Sequence, residues 1–102
     1  MFDIVWIQSK IREGQYYFAG HGDQERQNDN LTVAEVEEAL LTGRVLEQYK
    51  DTGRGESCWV IGFTEKSKPL HMVCGDIEDR VVIVTVCIPT PPKFKNPYER
   101  GS

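Results

Sequence analysis

The sequence predicts an α+β fold in which N-terminal helices pack on a four-stranded antiparallel β-meander. Two observations predict it: helical spacing with a capping motif occupies the first half of the chain, and strand-like runs separated by short turns occupy the second half. Connections this short join neighbouring antiparallel strands rather than crossovers. The length of 102 residues allows one modest core, which we assign to a single domain over residues 1–92.

The first predicted helix spans residues 3–13. Ile4, Ile7 and Ile11 follow the i, i+3, i+7 spacing of one helix face. Gly14 then stands where a left-handed residue commonly ends a helix. The letters FDIVWI are also compatible with a strand, but the position of this glycine favours the helix.

The clearest predicted element is a helix over residues 33–42. Thr32 and Glu35 have the T-x-x-E spacing of a capping box, and Gly43 follows the last helical position. One apolar stripe is expected to face the core: Val33, Val36, Leu40 and Leu41.

The segment between these helices contains the first of two histidines. Residues 16–19 are predicted to be extended. Gly20 and Gly22 then flank an accessible His21 at a predicted break in the backbone. The polar stretch that follows, GDQERQNDN, is either a short exposed helix or a loop.

Four strands are predicted where β-branched and aromatic runs alternate with turn residues. The last run is nearly continuous in apolar residues, so its strand is expected to be central or covered on both faces. Pro89 should end it, because proline cannot extend a ladder. The four runs are RVLEQYK (44–50), SCWVIGFT (57–64), PLHMVCG (69–75) and RVVIVTVCI (80–88).

Net charge limits the classes of function. A formal charge of -4 and a pI near 5.1 argue against a surface that attracts nucleic acid everywhere. Residues 93–102 form a basic, proline-flanked tail that either contacts phosphate or is simply solvated. The charged residues of this tail are Lys93, Lys95, Glu99 and Arg100.

The chain lacks the sequence signals of export. No run approaches the roughly 20 apolar residues needed to cross a bilayer, and no secretory leader is evident. We therefore expect a cytoplasmic protein with no membrane partner. The three cysteines are an odd number without CxxC spacing, and we expect them to be reduced strand residues.

Two histidines and one arginine are the candidate catalytic residues. His21 lies beside glycines, His71 lies in the third predicted strand, and Arg54 lies in the turn DTGRGE. If they converge on the open sheet face, they supply a base, an acid and an anion clamp for phosphodiester cleavage. The alternative is structural, because a strand histidine is more often hydrogen-bonded within the fold and a turn arginine is usually solvated.

The same groups do not suggest a metal site. His71 and Cys74 are three residues apart on a strand, so their side chains lie on opposite faces. Glu25 and Asp29 are one helical turn apart and would join His21 at an ion, but carboxylates on a polar segment usually face water. We expect no metal and no cofactor.

The order of these pieces resembles one bacterial family. The segments that carry the resemblance follow His21 and are LTVAEVEEAL (31–40), GRVLEQY (43–49), RGESC (54–58), PLHMV (69–73) and VIVTV (82–86). Over about residues 4–92 the chain resembles the family known as domain of unknown function 4258, which is itself similar to the RelE-like toxin ribonucleases. The resemblance implies two N-terminal helices and a curved antiparallel sheet that carries the active site.

The resemblance also implies a function. This would be a metal-independent endoribonuclease toxin that cleaves RNA and is neutralised by a zinc-finger antitoxin protein, of the kind that partners MqsR-type toxins. The recurring positions of the family fall on His21, Arg54, His71 and Thr85. The resemblance therefore assigns acid–base chemistry to the histidines, phosphate binding to the arginine and a hydrogen bond to the threonine.

Three positions depart from the family pattern. Glu25 and Asp29 stand where many members have arginines, and Cys87 stands where they have tyrosine. Two anions should repel RNA, and the missing aromatic removes a stacking surface for bases. The departures favour the alternative, a non-catalytic binding module of the same fold. Its apolar sheet face would be partly exposed and would self-associate into a homo-oligomer through Trp59, Ile61 and Phe63.

Overall fold

The computed structural model describes residues 2–49 and 56–89, together with the backbone of 94–96 and 99–100. Helices precede most of the strands, which confirms the predicted α+β class. In chain order the elements are α1 (Ile4–Arg12), β1 (Tyr16–Phe18), α2 (Gly20–Asn28), α3 (Val33–Leu41), β2 (Arg44–Tyr49), β3 (Ser57–Phe63), β4 (Pro69–Ile77), β5 (Arg80–Cys87), β6 (Phe94–Asn96) and β7 (Glu99–Arg100).

Five of these strands form one mixed sheet in the order β1-β5-β4-β3-β2. The four consecutive strands β2 to β5 are antiparallel neighbours, as expected from their short connections. The prediction of a four-stranded, wholly antiparallel sheet is wrong, because β1 adds a fifth strand that pairs in parallel with β5. The prediction that residues 16–19 are extended is confirmed for Tyr16–Phe18, but alternation over three residues does not reveal that this segment joins the sheet. The apolar β5 thus has a neighbour on each side, which confirms its predicted central position.

The helix α1 follows the prediction closely. Asp3 is its N-cap, and the Asp3 carboxylate accepts a hydrogen bond from the backbone N–H of Trp6 at 2.9 Å. Glu13 is the C-cap, and Gly14 follows with a φ of 73°. That left-handed conformation has no steric cost for glycine, which explains why the helix ends here.

The helix α3 begins at the predicted capping box. The Thr32 hydroxyl accepts a hydrogen bond from the N–H of Glu35 at 3.0 Å, and the Glu35 carboxylate accepts one from the N–H of Thr32 at 2.9 Å. The two bonds satisfy two backbone donors that a helix N-terminus otherwise leaves unpaired.

The buried face of α3 differs from the predicted stripe. Val33 is 41% exposed and Leu41 is 36% exposed, so the prediction is wrong at both ends of the helix. The fully buried residues are Val36, Ala39 and Leu40. The small Ala39 takes part because the helix lies close against Gly62 of β3.

The polar segment after β1 is a helix rather than a loop. Gly20 is the first residue of α2 and Gly22 the third, so the predicted backbone break around His21 is wrong. A Cβ at position 22 would lie 2.6 Å from the carbonyl oxygen of Ile83. Gly22 therefore serves close packing of α2 on β5, and its backbone conformation is simply helical.

The core lies between the sheet and the helices α1 and α3. Side chains alternate between the two sheet faces, so Met72 and Cys74 of β4 lie in the core cluster whereas His71 and Val73 do not. The cluster of buried residues comprises Phe2, Ile7, Ile11, Leu31, Val36, Ala39, Leu40, Cys58, Val60, Leu70, Met72, Cys74, Val81, Ile83 and Val86.

The other face of the sheet is named the distal face below, because it lies away from that cluster. Trp59 is 9% exposed and Ile61 is 2% exposed, so the expectation that this apolar face is partly exposed is wrong for both residues. Pairing of β3, β4 and β5 brings the following residues onto the distal face: Trp59, Ile61, His71, Val73, Thr85 and Cys87.

All three cysteines are reduced residues that lie in strands, as expected. Cys58 and Cys74 face each other across β3 and β4 within the core. Burial raises the pKa of the Cys58 thiol to about 12 and raises the pKa of Cys74 as well. Both thiols are therefore protonated at neutral pH and poor nucleophiles.

The helices and the last two strands are short. Each helix has nine residues. Within the described ranges, none of the helices has the length and apolar character required to cross a membrane. The strands β6 and β7 lie in the predicted basic tail and form a separate two-stranded sheet.

Candidate functional site

His21 is a solvent-facing residue in the first turn of α2. Its side chain is 72% exposed, and its Nε2 atom lies 3.4 Å from Oε2 of Glu25. Residues four apart lie on the same face of a helix, so this carboxylate stays beside the imidazole. The remaining surface of the ring faces water and is open to a ligand.

Glu25 connects α2 to the edge of β5. β1 pairs with β5 only as far as Ile83, and an uncovered strand beyond that point would leave backbone donors unpaired. The N–H of Val86 instead donates to Oε1 of Glu25 at 3.1 Å. The carboxylate therefore touches both the backbone of β5 and the imidazole of His21.

His71 is buried at the centre of the distal face. It pairs with Ile61 on β3 and with Cys87 on β5, and it is 1% exposed. Its ring meets Trp59 edge to face, with centroids 5.1 Å apart and planes at 88°. Such aromatic pairs stabilise a fold beyond simple burial. In this conformation the imidazole contacts protein rather than solvent.

Thr85 lies on the same face as His71. It stands opposite Val73 in the β4–β5 ladder, two residues from Cys87, and it is half-buried. Residues placed diagonally across an antiparallel pair are roughly 7–8 Å apart, within reach of long side chains. The structure thus brings two of the predicted site residues, His71 and Thr85, onto neighbouring strands.

Arg54 lies outside the described residues. The predicted convergence of its guanidinium with the two imidazoles therefore stays a prediction. Within the described residues, the Glu25 carboxylate contacts both the imidazole of His21 and the backbone N–H of Val86. Thr85 and Cys87 are the neighbours of Val86 in β5.

The one arginine in the sequence of α2 is committed to local structure. Arg26 pairs with Asp23 at 2.8 Å and donates to the carbonyl oxygen of Leu31 at 2.7 Å. Its guanidinium also lies 5.6 Å from the centre of the Phe18 ring. The hydrogen bond from Arg26 lowers the pKa of the Asp23 carboxyl below its usual value. The guanidinium of Arg26 is therefore engaged by these groups.

The sequence suggests Glu25 either as a carboxylate that would join His21 at an ion or as an anion that repels RNA. The structure instead gives it two specific contacts, with the backbone of Val86 and with the ring of His21, and the contact with β5 is not visible in the sequence. The available signal was its i, i+4 spacing from His21, which becomes meaningful once the polar segment is a helix. Asp29, the second departure from the family pattern, is the exposed C-cap residue of α2.

The described residues contain no cluster of three or more metal-ligating side chains. A polar surface pocket of about 310 Å³ lies near the start of α3 and the β3–β4 turn. Its acidic lining is poorly suited to a phosphate, and the lining includes none of His21, His71 and Thr85. The residues lining this pocket are Thr32, Glu35, Glu38, Thr64, Glu65 and Lys66.

Fold and site together define a class: a small α+β protein with a mixed sheet, carrying a solvent-facing histidine on a helix that packs on β5. Residues 18–88, more than half of the chain, match the family model described as Domain of unknown function (DUF4258), and the protein belongs to this family. No curated protein and no solved structure matches the chain.

Proposed function

We propose that this protein is a toxin-like, metal-independent endoribonuclease of RelE-like architecture, with His21 as its solvent-facing acid–base residue. The observation that supports the proposal best is the setting of His21, an exposed imidazole on a helix bonded to β5 beside Thr85. Histidine is the side chain best suited to proton transfer near neutral pH. An RNA substrate also implies a cytoplasmic location.

The proposed reaction is cleavage of a phosphodiester by the neighbouring ribose. Neutral His21 takes the proton of the 2′-hydroxyl, and the 2′ oxygen bonds to phosphorus while the P–O5′ bond breaks. The leaving O5′ receives a proton, so the products are a 2′,3′-cyclic phosphate and a 5′-hydroxyl. Arg54 would stabilise the charge on the phosphorane oxygens, and Thr85 would donate a hydrogen bond to them.

His71 is proposed as the acid that protonates the leaving oxygen. Because its ring is 1% exposed, this role requires the ring to become accessible when RNA binds. His71→Gln distinguishes this role from a packing role. A catalytic His71 predicts loss of cleavage in a folded variant, whereas a packing role predicts a lower melting temperature with cleavage retained below it.

RNA cleavage by the purified full-length protein in EDTA tests the proposal. His21→Ala should lower the cleavage rate about 100-fold, a typical contribution of an acid–base residue. Gln24→Ala alters an exposed neighbour on the same helix and should leave the rate unchanged. No cleavage by the wild-type protein, with free RNA or with translating ribosomes, would refute the nuclease proposal. Equal rates for wild type and His21→Ala would remove His21 from the mechanism.

A zinc-finger antitoxin protein is the proposed partner, on the strength of the family resemblance. Production of this protein alone should then inhibit bacterial growth, and co-production with such an antitoxin should restore it. The His21→Ala variant provides the control, because it should leave growth unaffected in both conditions. Growth inhibition that this variant retains would point to a cause other than RNA cleavage.

A non-catalytic binding module is the second candidate, and the burial of His71 favours it. The net charge of -4 favours it as well, since an acidic surface repels RNA. The module would neither cleave RNA nor inhibit growth. Light scattering tests whether such a module self-associates, because a homo-oligomer would have a mass that is a multiple of 11.7 kDa.

A further inference from the structure

The two oxygens of Glu25 make two different contacts. Oε1 accepts the N–H of Val86 at 3.1 Å, and Oε2 lies 3.4 Å from Nε2 of His21. The Glu25 side chain is 28% exposed, whereas the histidine ring is 72% exposed. One oxygen of the carboxylate is thus held by the sheet, and the other lies beside an exposed ring.

We propose that Glu25 is a positioning residue for His21. Because Oε1 is bonded to the strand, Oε2 has a fixed position relative to β5, and a ring attracted to it is restricted to one rotamer. A carboxylate beside Nε2 also selects the tautomer that carries its proton on Nε2. Nδ1 is then the ring nitrogen that carries a lone pair and can accept a proton. The catalytic consequence rests on the nuclease function proposed above.

A purely structural role for Glu25 makes a different prediction. Capping the N–H of Val86 requires only one oxygen and no histidine. In that case removal of the carboxylate would expose the N–H of Val86 to hydrogen exchange. The rotamers that the His21 ring samples would stay the same. The rotamer of His21 therefore separates the two roles.

Two substitutions of Glu25 keep the test interpretable. Glu25→Ala removes both contacts. Glu25→Gln retains a carbonyl oxygen that can accept from Val86 and removes the charge beside His21, and it covers the case in which the alanine variant does not fold. Asp29→Ala is the matched control, since it removes an acidic side chain from the end of the same helix.

NMR of the full-length protein provides the primary measurement. Three-bond couplings to Cγ of His21 should indicate one dominant rotamer in the wild type and in Asp29→Ala. They should be averaged in Glu25→Ala, with an intermediate value in Glu25→Gln. An averaged His21 ring in the wild-type protein, or couplings that Glu25→Ala leaves unchanged, would overturn the proposal.

Cleavage kinetics provide the second measurement where the wild type cleaves RNA. Glu25→Ala should lower kcat about tenfold with little change in KM, because orientation acts on the reacting proton rather than on RNA affinity. A change in KM alone would contradict positioning. If the wild type cleaves no RNA, the nuclease proposal fails while the rotamer result still decides whether Glu25 orients His21.

Discussion

The substitution Gly62→Ala tests how α3 is held on the sheet. A Cβ at residue 62 would lie 1.7 Å from the carbonyl oxygen of Ala39 and 2.5 Å from its carbonyl carbon. Both atoms belong to the backbone of the helix, so neither can rotate aside. The helix and β3 would have to separate by about 1.7 Å to reach the 3.4 Å of ordinary van der Waals contact.

The expected cost follows from the packing that this separation weakens. Burial of a Val or Leu side chain contributes about 1.5–3 kcal/mol, and α3 buries Val36 and Leu40. A gap of about 1 Å already removes up to half of the attractive energy of a contact. Val36 and Leu40 together would therefore lose about 1.5–3 kcal/mol of stabilisation. Overpacking strain adds about 1–3 kcal/mol. We expect the free energy of unfolding to fall by roughly 2.5–6 kcal/mol, a large share of the stability of a small domain.

Urea unfolding followed by circular dichroism measures this change. Gly20→Ala is the matched control, because a Cβ there meets no atom within 4 Å and the residue is helical. The control should be unchanged or more stable by up to about 1 kcal/mol. If the free energy of unfolding of Gly62→Ala lies within about 1 kcal/mol of the wild-type value, with an unchanged m-value, α3 does not pack closely on Gly62.

Three further predictions concern the turn, a tyrosine and the thiols. The β4–β5 turn holds Glu78 and Asp79 at φ of 53° and 64°, a left-handed conformation that asparagine adopts more readily than glutamate. Glu78→Asn should therefore raise the free energy of unfolding by about 0.5–1 kcal/mol. An unchanged urea midpoint would argue against this. Burial and the hydrogen bond to Glu37 raise the pKa of Tyr16 to about 12 from 10.0. The stability advantage of wild type over Tyr16→Phe should be constant below pH 10 and shrink as the pH rises towards 12, and an advantage that persists there contradicts the assignment. Native-state labelling with a thiol reagent should modify Cys87 before the two buried cysteines, and equal labelling rates would be the contrary result.

The elements that local sequence specifies were predicted well. The capping box of Thr32 and Glu35 requires only residues three apart, and the left-handed Gly14 follows its helix directly. The four consecutive strands were also recognised, because alternation and short turns are local signals. Membership of the family was likewise visible in the ordered segments from His21 onward, and it is confirmed over residues 18–88.

The elements that depend on distant contacts were predicted poorly. β1 is a strand because the edge of β5 is available to pair with it, and nothing in its three residues reveals that edge. α2 has little apolar content, and its close packing on β5 depends on the absent side chain of Gly22. The burial of Trp59 and Ile61 on the distal face was not predicted, because alternation tells which face a residue occupies and not whether that face is covered.

The candidate site shows the same division. The sequence suggested His21, His71 and Arg54 as candidates, and the family resemblance added Thr85. Alternation along the strand also placed His71 and Cys74 on opposite faces. The predicted accessibility of His21 is confirmed, whereas only the tertiary structure decided that His71 packs on Trp59 and that Glu25 joins α2 to β5. The reason is physical: periodicity depends on backbone geometry within a few residues, whereas burial and side-chain partners depend on groups that are far apart along the chain.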